Sequence, residues 1–432
     1  MTTDLLNAFV LLLFIVYGFK RPAVSMAGVI WIDLYKPQLI STSFLYQRPL
    51  SMLFVLFFFV TIVANSSKFR RPSKMSYVFL VVMFMVWITL TTMNAEFPTV
   101  AWPKHDVAFK TILFAFFIPF VLQDRKEIEL FVWVVVGALG TYMFMGGGKS
   151  IYGGGYGIDL ITSNPGMVWN EGSTLASQAI SLLPLLYYVG KNSLLVVDKP
   201  FLKKILMVLA VACVLVLVGT QARTGLVALA VLALFVVYYS KSKGKVLMVA
   251  LIAPFLIYPF LPEEFLNRMN TMSDTKNESS AMGRIVVWRW TLDYVSERPI
   301  MGGGFNSYLA NAGKLDSYAQ RGEVEIATSG GKAFHNIFFE VLGEQGYVGL
   351  ALYLMIIGQT LLTLRSVFGS VHSDAWQKLL GRCLFISLVV YCVGGMFIGV
   401  AYFPWVYYMH GLSIALFNSY AKQVPSRRLR RR

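Results

Sequence analysis

The sequence predicts an all-α polytopic membrane protein with about twelve transmembrane helices and one large, partly helical extracytoplasmic loop; if every apolar run crosses, the count is thirteen. Three observations predict it. Apolar residues make up 56% of the chain and charged residues only 14%, with a mean hydropathy of +0.62, well outside the balance of a soluble domain. The apolar residues gather into runs of about 15 to 20, the length that carries a helix across a bilayer's hydrocarbon. The links between runs alternate between basic and basic-poor, as repeated crossings require.

The runs fall at 5–18, 23–39, 49–65, 76–92, 107–122, 127–145, 173–190, 203–219, 224–240, 246–260, 347–364, 380–398 and 404–418. The first is followed by Lys20-Arg21 and not by a small-residue cleavage site, so it reads as a resident helix. Basic links lie at Lys68–Lys74, 191–204, Lys241–Lys245, 365–382 and the tail Arg427–Arg432. These are expected to face the cytoplasm. The links 93–106, 146–172, 220–223, 261–346 and 399–403 then face the other side, which in a Gram-negative cell is the periplasm. Three regions follow: a helical membrane region at 1–260, the long loop at 261–346, and the C-terminal spans and basic tail at 347–432.

A net charge of +16 would suit a nucleic-acid partner, but much of the excess flanks the membrane, so lipid and not nucleic acid is the expected contact. Cys213, Cys383 and Cys392 all lie in apolar runs without CxxC spacing and read as small core residues. No internal repeat is visible, which gives no support to a repeat-built transporter.

Polar features on the predicted periplasmic face are few. Gly146-Gly147-Gly148-Lys149 to Gly172 reads as a Gly-rich loop containing Asn164-Pro165 and Asn170-Glu171, without the GxxxxGK[ST] spacing of a P-loop. Gln221-Ala222-Arg223 sits where one span ends and the next begins. An arginine there is a helix-end anchor or, with its planar fork of donors, a phosphate ligand. In the long loop, a helix is expected from Met282 to Ser296, with Arg284 and Trp288 one turn apart on one face and Arg289 and Trp290 pointing elsewhere. Such a helix could also simply lie in the interface. Pro299 stops it, and Gly302-Gly303-Gly304 forms a turn that permits close backbone approach. His335 precedes a span, so it sits above the bilayer, where an ordinary pKa near 6.5 suits proton transfer. His105 lies in another periplasmic link, His372 is cytoplasmic and His410 falls in the last run. No histidine or cysteine cluster accompanies His335, which disfavours zinc.

His335-Asn336, nine residues, Gly346, two residues and Gly349 is similar to the H-[NSQ]-x9-G-x-x-G signature of O-antigen ligases. Arg223 after a polar turn, the Gly-Arg…Trp segment at 283–288 and the Pro299…Gly302/Gly304-Phe305 turn also resemble that superfamily. It comprises ligases, O-antigen polymerases and protein O-oligosaccharyltransferases. The detailed resemblance covers roughly residues 200–400, while the N-terminal half matches only in hydropathy. Arg21-Pro22 and the Trp31…Lys36-Pro37 region resemble, more weakly, O-glycosylation ligases found beside exosortase systems.

The resemblance implies an inverting, metal-independent and cofactor-free glycosyltransferase in the bacterial inner membrane. Its donor would be an undecaprenyl-diphosphate-linked glycan and its acceptor a hydroxyl of lipid A-core, used by a monomer. Arg223 and Arg284 would bind the diphosphate, and His335 would orient or deprotonate the acceptor. Asn336, Trp288, Arg289, Gln221 and Glu171 are the supporting candidates, Glu171 on the acceptor side. A polymerase or protein O-glycan ligase keeps this chemistry with another acceptor. A transporter of lipid-linked glycan, the reading from a different class, would instead scatter ionisable residues through its spans.

Overall fold

Each apolar run folds as a helix because a chain in lipid must satisfy its backbone groups within the segment. The computed structural model describes residues 2–152, 171–196, 198–258, 279–319 and 330–423, which hold sixteen α-helices and no strand. In order they are α1 (Thr2–Gly18), α2 (Pro22–Tyr35), α3 (Pro37–Ile40), α4 (Leu50–Ala64), α5 (Met75–Met93), α6 (Pro98–Phe116), α7 (Ile118–Val121) and α8 (Arg125–Tyr152). There follow α9 (Gly172–Asn192), α10 (Pro200–Thr220), α11 (Arg223–Tyr239), α12 (Lys243–Ile257), α13 (Ser279–Ser296), α14 (Ile337–Phe368), α15 (Ala375–Gly395) and α16 (Pro404–Ala421).

Among these, α5, α8, α10, α14 and α15 contain segments long and apolar enough to cross a membrane, and α1, α4 and α11 are shorter apolar helices. The chain is thus an all-α, membrane-integral protein. Leu56, Val63, Phe79 and Leu234 point outward, which costs nothing where the solvent is lipid.

The centre of the bundle is α16, buried without interruption from Pro404 to Leu416. Pro404 opens it at a position where the missing N–H is no loss. Two of its polar side chains reach neighbouring elements: His410 Nε2 pairs with Gln359 Oε1 at 2.8 Å, and Asn418 Oδ1 accepts from the Ser73 amide at 2.8 Å. Around it, α14 packs on α5, α13, α15 and α16, while α15 packs on α9 and α11, and α8 on α2 and α10. One hydrophobic cluster runs from Leu11 to Tyr420. Cys213 and Cys383 are buried and all three cysteines are free thiols, in line with the core reading.

Three local expectations change. Gly146-Gly147-Gly148-Lys149 is not loop but the last turns of α8; Gly147 serves helix packing, since a Cβ there would lie 2.9 Å from Ala212 Cα of α10. Asn164, Pro165 and Asn170 lie outside the described residues. His105 is not in a link: α6 already begins at Pro98, which pre-sets the first helical turn. The polar stretch before residue 347 is helical from Ile337, because Asn336 caps a helix there.

That last helix is broken at Gly346 (φ 66°, ψ −171°), just before the predicted start of the span. The break receives the Gly302–Gly304 turn from the end of α13. Gly303 N donates to Gly343 O and Gly304 N to Glu344 O, both at 2.9 Å, and Tyr347 N donates to Pro299 O at 2.9 Å. A Cβ on Gly346 would collide with the Ile300 carbonyl, and one on Gly302 would lie 2.7 Å from Gly343 O. Backbone therefore packs on backbone, and Trp87 Nε1 reaches the Gln345 carbonyl at 3.0 Å. This satisfies groups that a helix break in a membrane would otherwise orphan.

Candidate active site

His335 is held by its neighbours in sequence and by α13. Asn336 is buried, and its Oδ1 accepts from the amides of Phe338 (2.8 Å) and Phe339 (3.3 Å), capping α14. On the other flank, Trp288 Nε1 donates to the Phe334 carbonyl at 2.9 Å while its ring stacks on Phe339, with centroids 5.3 Å apart and planes 11° apart. Between these two clamps His335 adopts φ 47°, a left-handed conformation uncommon for a residue with a Cβ and found where the surroundings over-determine it. Asn336 and Trp288 thus fix the backbone on either side of the imidazole.

Four charges act on His335. Burial lowers its pKa below the ordinary 6.5; Glu171 opposes this, Arg284 and Lys332 add to it, and Glu340 opposes it. The imidazole therefore favours its neutral, proton-accepting form at neutral pH. Arg284 is half-buried in the first turns of α13; burial lowers its pKa and Glu171 counters that. Glu171 is thereby within electrostatic reach of both predicted catalytic side chains. It is the residue before α9, and accepts from Thr174 Oγ1 at 2.9 Å.

Arg223 opens α11, after a two-residue turn in which Gln221 takes φ 51° to end α10. Its helix end meets those of α9 and α10: Gly225 packs on Ala176 and Leu217, and Gly172 on Thr220. Gly394 and Gly395 bring the end of α15 flush against Ser177 of α9 and Ile337 of α14. The end of α11 that carries Arg223 thus packs against the ends of α9 and α10, with Glu171 the residue before α9. Arg289 is exposed, and its pair of neighbours on α13, Val286 and Trp290, are buried in a satellite core with Val287 and Phe334.

Two residues here escape the motif-based reading. Lys332 lies with its ammonium over Gly283, where a Cβ would collide with it, and beside Arg284, which together with burial lowers its pKa. Its backbone is fixed by a reciprocal pair, Lys332 N to Asn311 Oδ1 and Asn311 Nδ2 to Lys332 O, each 2.8 Å. A lysine three residues before the histidine, behind Gly330-Gly331, was the available signal. Glu340, inside the nine-residue spacer, is the other. With Glu344 it grips Lys104 of α6, whose Nζ lies 2.7 Å from a carboxylate oxygen of each. Ala401 N donates to Glu340 Oε2 at 3.0 Å and Asn306 N to Glu344 Oε1 at 2.8 Å.

The site thus gathers cations, a carboxylate and an imidazole where the ends of α9, α13 and α14 meet. Among the described residues no three His, Cys, Asp or Glu side chains converge as a metal site would need. Residues 208–354 match the O-antigen ligase family, a span that includes Arg223, Arg284, Lys332 and His335. Residues 2–194 match a family of unknown function (DUF5935) that includes Lys104 and Glu171. No curated protein matches the chain. The match at 208–354, together with the helical membrane fold and the histidine motif, supports membership in the O-antigen ligase/polymerase superfamily.

Proposed function

We propose that the protein is an O-antigen ligase: an inverting, metal-independent glycosyltransferase that moves a glycan from undecaprenyl diphosphate to a hydroxyl of lipid A-core. The reaction takes place on the periplasmic face of the inner membrane, with the C-terminus in the cytoplasm. The observation that carries this reading is the meeting of Arg284, Lys332, Glu171 and His335 in one electrostatic neighbourhood. A diphosphate needs cations, and an attacking hydroxyl needs a neutral base.

In this reading the acceptor oxygen attacks the anomeric carbon as His335 takes its proton. The carbon–oxygen bond to the diphosphate breaks on the opposite face of the sugar, which inverts the centre. Arg284 and Lys332 offset the charge gathering on the departing diphosphate, and Arg223 contributes from the end of α11. The leaving group is already activated, so no carboxylic acid has to protonate it.

A polymerase or a protein O-oligosaccharyltransferase would use the same donor-side residues and differ in acceptor, so the test varies the acceptor. Proteoliposomes containing the purified protein and undecaprenyl-diphosphate-linked glycan are offered lipid A-core, a second lipid-linked glycan, or a serine-bearing protein. Transfer to lipid A-core alone supports the ligase; movement of intact donor across the bilayer without transfer supports a transporter. His335→Ala is expected to abolish transfer, and wild-type turnover in that variant overturns the catalytic assignment. Arg284→Ala is expected to weaken donor binding by about 2 kcal/mol, the scale of a lost charge-assisted hydrogen bond.

A further inference from the structure

A second polar space lies beside the His335 cluster. It is a cavity of 280 Å³ at the C-terminal end of α2, the N-terminal half of α6 and the link between α15 and α16, lined by Asp33, Lys36, Lys104, Thr111, Glu340 and Tyr402. Ionisable groups inside a membrane bundle are costly, and where they face a cavity they mark a substrate path. Both signs of charge are present, in contrast to the cation-rich surroundings of Arg284. That combination suits a ligand with many hydroxyls and no net charge: carboxylates accept from hydroxyl groups, ammonium groups donate to their oxygens, and an aromatic wall packs on the ring. The volume sits near the lower end of small-molecule sites, about 300 Å³, which is room for a sugar ring and not for a lipid.

Position ties this space to the reaction. Glu340 lines the cavity and also acts electrostatically on His335. Gly399 lines the same wall beside the Glu340 carboxylate. Asp33, Lys36, Lys104 and Thr111 come from the region matched to the family of unknown function, Glu340 from the O-antigen ligase region. The two regions are joined at this point by the Lys104 ion pairs.

We infer that this cavity is the acceptor-sugar subsite, and that the N-terminal region selects the acceptor through Asp33 and Lys36. The inference rests on the glycosyl-transfer reading. The test is steady-state kinetics in proteoliposomes with undecaprenyl-diphosphate-linked glycan, using whichever of lipid A-core, a second lipid-linked glycan or a serine-bearing protein the wild type accepts. Asp33→Asn and Lys36→Gln are each expected to raise the acceptor KM about tenfold or more, the loss of one charged hydrogen bond, with donor KM unchanged. Asp33 also accepts from Tyr408 Oη at 2.5 Å, so its variant could disturb folding; Lys36, half-buried at the helix end, provides the independent measurement. Unchanged acceptor KM in a folded Lys36→Gln protein, or a shift confined to donor KM, overturns the subsite while leaving glycosyl transfer intact. Absence of transfer to every acceptor by the wild type overturns both.

Discussion

Replacing Lys104 by methionine tests whether the two family-matched regions are energetically one unit. Methionine keeps an unbranched apolar stem and removes only the ammonium, so the change reports on charge. In the native protein that ammonium lies 2.7 Å from Glu340 and from Glu344, and the side chains are 26%, 7% and 0% exposed respectively. Removing one partner of a buried ion pair costs about 3–5 kcal/mol, because the charge left behind is uncompensated. Two features favour the lower end of that range. Lys104 is partly open to solvent, and each carboxylate keeps a backbone donor, from Ala401 and Asn306. A loss of about 3 kcal/mol is therefore expected, read as a lowered thermal unfolding midpoint in detergent. Lys104→Met with Glu344→Gln should recover part of it, since one carboxylate no longer faces the other. A Lys104→Met midpoint equal to wild type, or a double variant no more stable than the single one, refutes the reasoning.

Three further outcomes follow from the same geometry. The transfer rate should rise with pH through a midpoint below 6.5 and then level off, because burial lowers the His335 pKa and only the neutral ring accepts a proton; Glu171→Gln should move that midpoint lower still, and a midpoint above 6.5 contradicts the assignment. Trp288→Phe keeps a ring against Phe339 but leaves the Phe334 carbonyl without its donor, so about 1 kcal/mol of stability should be lost and kcat should fall more than KM in the reconstituted assay. Gly346→Ala puts a methyl group into the Ile300 carbonyl at a φ of 66°, and should give little monodisperse protein on size-exclusion chromatography; normal yield would mean the helix break is not fixed by this contact.

What was legible in the sequence divides along physical lines. The helices were readable because lipid leaves an apolar run of span length almost no alternative; the break at Gly346 was not, because the helical turn before it, from Ile337, carries the polar residues of a loop. The histidine motif was readable because its parts are local: Asn336 caps the helix that follows it, and Gly346 takes the backbone of the Gly302 turn. Glycine content alone misled at Gly146–Gly148, where the chain is helical and Gly147 serves packing between α8 and α10, a distinction that depends on the neighbouring helix. Lys332 and Glu340 were missed for the opposite reason. Their importance lies in what they touch, and Lys104, Asn311 and Gly283 are distant in the chain from one or other of them.

The ion cluster also bears on how the two regions work together. Glu340 and Glu344 lie in the short helical segment between His335 and the break at Gly346, so whatever fixes that segment also fixes the chain leaving His335. Its fastenings include Trp288 of α13, the Gly302–Gly304 turn, Ala401 of the α15–α16 link, Trp87 of α5 and Lys104 of α6. Lys104 and Trp87 belong to the region of unknown function, and Lys104 brings the cation. A ligase domain with an unrelated N-terminal partner would have to replace that cation or lose the carboxylates. Lys104 and Trp87 therefore tie the N-terminal helices to the segment that follows His335, and the cavity beside Lys104 is where, in the proposed subsite, those helices would act on the acceptor. The same short segment would then set both the orientation of the base and the wall against which the acceptor rests.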